Sequence, residues 1–189
     1  MIVNLTRWIT ETWGGFCFET YVSLPAWRAF CYVTDCRTNA EAALRLFESL
    51  SNAQESLPPN PIIPFQIGDA DNGVRLQVAY GPNGKDCACK IVMLDAEIPW
   101  VKPRFPLGQV IVSQDAQEAL GCRYINAALG RHVADDRPLG VVMTIAELLH
   151  VKETENEIVS VYYMPSPGEL PVKVATNLSR SETEVTMAW

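Results

Sequence analysis

A chain of 189 residues with 48% hydrophobic and 20% charged side chains carries enough apolar material for a sizeable core, and too much to stay disordered. Its net charge is -7, with 22 acidic against 15 basic residues and no long run of either sign, which excludes the basic footprint of a nucleic-acid-binding surface. No apolar run reaches the roughly 18 residues of a membrane span. The start, MIVNLTRWITETWGGF, has no continuous apolar stretch of the kind a secretory signal needs, so a cytoplasmic chain with six reduced cysteines is expected.

In chain order, Trp13 to Ser23 reads as a strand, with aromatic and β-branched residues between Gly14-Gly15 and Pro25. Ala29 to Thr34, AFCYVT, is a second β-prone run, expected to pair with the first as a hairpin. Thr38 and Glu41 then match a capping box, and the Ala-rich segment 39–55 has Ala43, Leu46, Phe47 and Leu50 at helical spacing. Its helix is ended by Pro58 and Pro59. PPNPIIP, 58–64, reads as a stiff extended connector. Val74, Leu76, Val78 and Tyr80 alternate with Arg75, Gln77 and Ala79, the pattern of a half-buried strand, and CACKIVML returns as its hairpin partner, giving a hairpin over 74–94.

The three prolines of AEIPWVKPRFP place a module boundary near 100–104. Beyond it, Leu107 to Val112 is a short strand, Ser113 caps a short helix to Leu120, Gly121 stops it, and Tyr124 to Val133 is a second helix. Val141 to Val151 reads either as a third helix capped by Thr144 or as a strand leading into a shorter helix. Strands over Glu157 to Met164, Pro171 to Thr176 and Thr183 to Trp189 would form a closing meander. The expectation is an α+β protein of two small modules, 1–100 and 105–189, each of antiparallel strands with packed helices.

Few residues have a spacing that suggests chemistry. Cys87 and Cys89 would share one face of a strand, but a tetrahedral zinc site needs a second close pair, and Cys31 and Cys36 are separated by four residues. Buried, inert thiols are the favoured reading. Of the two histidines, His132 lies ten residues from Cys122, and its place beside Arg131 near a helix end is better explained by the terminal carbonyls than by a nucleophile pair; His150 has no such neighbour. Asp69, Asp71 and Asn72 resemble the opening of a calcium loop whose closing Glu is replaced by Ala79, so a hairpin turn accounts for them. Asp135 and Asp136 are adjacent and point apart, the habit of solvated carboxylates. The five tryptophans and Tyr162-Tyr163 lack interleaved basic residues, so they read as core. P-loop, GxGxxG, HExxH and GxSxG motifs are absent. No catalytic residue, metal ligand or cofactor is expected, and no binding residue is singled out.

FPLGQVIVSQDAQEAL, followed by INAALGRHV with Asp135 and Asp136, resembles a family of small uncharacterised proteins carried on bacterial plasmids, integrative elements and phages. The tail, IVSVYYMPSPGELPVKVATNLSRSETEVTMAW, is similar to the family's closing strands at Ser160, Tyr162, Pro165, Ser166, Gly168, Thr176, Arg180 and Ser181. The likeness covers about residues 105–189, and departs at Asp136-Arg137-Pro138, where the family has an acidic-Trp-Gly patch, and in the more apolar Gly140 to Lys152. It implies a mobile-element setting and transfers no chemistry. The resulting expectation is a non-enzymatic accessory protein that binds and inhibits a host defence complex, of the anti-CRISPR or anti-restriction type, without membrane contact or direct nucleic-acid binding. Two alternatives are a DNA-associated regulatory or maintenance protein of a mobile element, and a thiol- or metal-dependent enzyme using Cys87 and Cys89.

Overall fold

The computed structural model describes residues 1–13, 18–83, 86–96, 103–134, 153–154, 157–164 and 170–188. The first sheet and its helices run β1 (Ile2–Asn4), α1 (Thr6–Trp13), β2 (Glu19–Ser23), α2 (Leu24–Thr34), α3 (Asn39–Ser56), β3 (Ile62–Ile67), β4 (Val74–Asn83) and β5 (Asp86–Met93). After it come β6 (Gln109–Val112), α4 (Gln114–Ala119), α5 (Cys122–Val133), β7 (Glu153–Thr154), β8 (Glu157–Met164), β9 (Leu170–Asn177) and β10 (Glu182–Met187). The fold is α+β, with two five-stranded, mostly antiparallel sheets in the orders β1-β2-β5-β4-β3 and β6-β10-β9-β8-β7. Each has one parallel pair, β2 with β5 and β6 with β10. Among the described residues no helix is long and apolar enough to cross a membrane.

The Ala29 to Thr34 run is not a strand, and no hairpin forms with the segment before it. Ser23 leaves β2 in an extended conformation and its hydroxyl accepts from the Ala26 N–H at 3.4 Å, while Pro25 sits in the first turn, where a missing N–H costs nothing. Ala26, Trp27 and Phe30 then fall on one buried helical face. Local start chemistry and a buried stripe override the β-propensity of Phe, Cys, Tyr and Val. The strand expected over Trp13 to Ser23 is shorter, beginning at Glu19, because the chain is still helical at Trp13.

The proline-rich connector is also more ordered than expected. Ile62–Ile67 pairs with β4 as an edge strand, the one place where Pro64 removes no ladder bond. The helix over Asn39–Ser56 has the expected cap, Thr38 Oγ1 accepting from Glu41 N–H at 3.1 Å, but Glu41 reaches one residue further back than a capping box, to the Arg37 N–H at 3.1 Å. The expected closing meander β8-β9-β10 forms, whereas 141–151 and the 165–169 turn lie outside the described residues.

Helix α5 sets the layout. Every residue from Ile125 to Val133 is buried, because one side packs on β4 and β5 and the other on β8 and β9. At Gly130 a Cβ would stand 2.3 Å from the Tyr80 carbonyl oxygen, so the glycine permits a close approach of α5 to the first sheet. The apolar core runs without a break from Leu5 and Ile9, through Tyr80 and Leu129, to Val185 and Met187.

Candidate functional site

The most developed chemistry lies where α5 meets the second sheet. Alternation along β8, β9 and β10 puts Ser160, Tyr162, Thr176 and Thr183 on the inner face, with Thr176 directly opposite Thr183. The last turn of α5 brings Arg131 and His132 onto that face. His132, 1% exposed, places Nδ1 2.9 Å from Ser160 Oγ and Nε2 2.9 Å from Thr176 Oγ1. Thr176 Oγ1 lies 2.7 Å from Thr183 Oγ1, which donates to the Leu107 carbonyl at 2.6 Å.

The proton order in this chain follows from its end. A carbonyl only accepts, so the single Thr183 proton goes to Leu107. Thr176 must then donate to Thr183 and accept from His132, which puts the imidazole proton on Nε2. In the neutral imidazole Nδ1 is left as an acceptor, and Ser160 donates to it.

Aromatic rings and arginines close the surroundings. Phe105 meets the His132 ring edge-on at 5.2 Å, Arg131 lies over the Tyr162 ring at 4.7 Å, and Arg180 over Phe105 at 5.6 Å. Arg180 is directed there by a tight β9–β10 turn in which it takes φ 55 and Asn177 Oδ1 accepts from the Ser181 N–H at 3.0 Å. Gly108 presses against the same turn. Its φ is 65 and an added Cβ would lie 2.1 Å from the Ser181 carbonyl carbon, so only glycine lets β6 run alongside β10 here.

Ser160 to Nδ1, with Nε2 oriented by a third group, has the outline of a nucleophile–base–orienter set. The third group is a hydroxyl where such sets usually have a carboxylate, so it fixes the tautomer but brings no charge to an imidazolium. The hydrogen bonds tie the last turn of α5 to β8 and β9. The terminal-carbonyl role expected for His132 is thereby corrected, since both ring nitrogens face hydroxyls of the second sheet. Cys122 sits in the opposite end turn of α5, about 15 Å away along a helix rising 1.5 Å per residue, too far to form a pair with it.

The other sequence candidates fall in separate places. Cys87 and Cys89 share the inner face of β5, are 3% and 4% exposed, and donate to Gly81 O at 3.0 Å and to Thr20 Oγ1 at 3.2 Å. Cys31 and Cys36 lie at the end of α2, and among the described residues no group of three or more His, Cys, Asp or Glu could hold a metal ion. Asp69 works in the β3–β4 turn, its carbonyl accepting from Gly73 N–H at 2.6 Å and from Gln66 Nε2 at 3.0 Å. Asp135, Asp136 and His150 lie outside the described residues.

A second buried polar centre joins the layers on the far side of α5. Tyr80, fully buried, accepts a hydrogen bond from Gln54 of α3, and burial raises its pKa well above 10.0, with nearby Cys89 adding to the rise. Asn126 accepts from the Asn60 N–H at 3.0 Å, tying the connector after α3 to α5. Comparison with known proteins finds no matching family model, no matching curated protein and no matching solved structure.

Proposed function

We propose that this chain is a non-enzymatic accessory protein of a mobile genetic element, which acts in the cytoplasm of a bacterial host by binding and inhibiting a defence complex of the anti-CRISPR or anti-restriction kind. The observation that supports this reading is the convergence of the residues carrying the family resemblance. Phe105, Arg131, His132, Ser160, Tyr162, Thr176 and Arg180 are spread over 76 positions of the sequence and meet in one joint. Internally satisfied hydrogen bonds at His132, Cys87 and Cys89 suit a binding protein, in which polar groups hold the scaffold. A net charge of -7 suits approach to the basic surface of a nucleic-acid-handling complex.

The test is expression in a host with an active, defined defence system, followed by phage or plasmid challenge and tagged co-purification. The expected result is restored phage or plasmid entry together with recovery of a subunit of that system at a fixed stoichiometry. Unchanged protection across CRISPR and restriction systems alike would overturn the reading.

A further inference from the structure

The two half-exposed thiols at the end of α2, Cys31 and Cys36, have a geometry of their own. Helix α2 ends at Thr34, and Asp35 then takes the left-handed conformation, φ 48 and ψ 40, which turns the chain back across the last helical turn. Cys36 follows the reversal. Its Sγ donates to Thr34 Oγ1 at 3.2 Å, and that hydroxyl in turn donates to the Phe30 carbonyl at 2.8 Å. Thr34 stands three residues after Cys31, the spacing that makes side chains neighbours on a helix surface. Cys31 and Cys36 therefore share one edge of the core, and both pack against it while remaining half-exposed.

We propose that Cys31 and Cys36 are a dithiol modification site that closes to an intramolecular disulfide by exchange with a low-molecular-weight disulfide of the glutathione class. One thiolate attacks a sulfur of the small disulfide, whose S–S bond breaks and releases one small thiolate that takes up a proton. The second protein thiolate attacks the first cysteine's own Sγ in this mixed disulfide, breaking its bond to the small molecule's sulfur and expelling the other small thiolate, which also takes up a proton. Two protein thiols are oxidised and one small disulfide is reduced to two thiols. Burial raises the Cys31 pKa and the neighbouring Cys36 raises it further, as expected for two thiols that cannot both ionise freely at close range. Closure would tie the last turn of α2 to the segment leading into α3. Cys87 and Cys89, buried in the sheet, are shielded from the same reagent.

The site does not depend on the binding function proposed above. The test is incubation of the reduced, folded full chain with oxidised glutathione, then intact mass and peptide mapping. The expected product has lost two hydrogens and carries a 31–36 crosslink, and dithiothreitol reverses it. Cys31→Ser and Cys36→Ser should each abolish the crosslink and leave the remaining cysteine as a stable glutathione adduct, with circular dichroism unchanged. Stable, separate adducts at both positions of the unaltered chain, or no reaction at either, would overturn the proposal.

Discussion

The Leu107 carbonyl has only lone pairs to offer Thr183, and that settles the proton order through Thr176 to His132. Thr176→Val keeps the shape of the side chain and removes the hydroxyl, leaving the buried Nε2–H facing a methyl group. A buried donor without a partner costs about 1–3 kcal/mol. Thr176→Val should therefore lower the unfolding free energy from urea denaturation by an amount in that range, and Thr176→Ser, which keeps the hydroxyl, by clearly less. Imidazole 15N shifts should report the Nε2–H tautomer in the unaltered chain, and the opposite tautomer would break the argument. Strand alternation made it readable from sequence that Ser160 and Tyr162 share a face, and the resemblance had drawn attention to Ser160, Thr176 and Arg180. Thr183 was read only as the start of a strand. Nothing local to it shows that the face it shares with Thr176 is covered by the last turn of α5.

Among the elements, α3 and β4 were the most legible, because cap, periodicity and stop agreed along α3 and apolar residues alternated along β4 from Val74 to Tyr80. The β-prone run inside α2 misled because its helix start, Ser23 with Pro25, also fits a turn between two strands. In helix α5, Gly130 costs roughly 1 kcal/mol of helix propensity against alanine. Its packing reverses the sign of that substitution. In Gly130→Ala the new methyl would stand 2.3 Å from the Tyr80 carbonyl oxygen, a backbone atom that cannot turn aside. Overpacking of this kind costs typically about 1–3 kcal/mol. Gly130→Ala should thus destabilise the protein in equilibrium denaturation despite its better propensity, and a gain in stability would show that α5 does not approach β4 so closely.

For the whole molecule, α5 lies between two sheets, bonded through His132 to the second and through Asn126 to the connector that leads into β3 of the first, while Tyr80 of β4 is bonded by Gln54 of α3. Tyr80 also gives the stability a pH dependence. Its folded pKa is raised well above the unfolded value of 10.0, first by burial and then by Cys89, so the folded state holds the phenolic proton more tightly than the unfolded chain does. That contribution is fully present below pH 10.0 and is lost as the pH rises from there through the folded pKa. The unfolding free energy should fall with pH above this point, and Tyr80→Phe should flatten the fall relative to the unaltered chain at matched denaturant. An equal slope in both would mean that another group dominates. The sequence alone determined the α+β class, the capped α3, the β4–β5 hairpin and the closing meander, because each rests on signals confined to a few neighbouring residues: a cap, a turn or a period. Only the tertiary structure decided that α2 is helical, that β2 lies parallel to β5 and β6 to β10, and that Ser160, His132, Thr176 and Thr183 form one chain of hydrogen bonds. Those outcomes depend on which surfaces bury each other across long stretches of chain, and α5, covered on both sides, is where that choice was made.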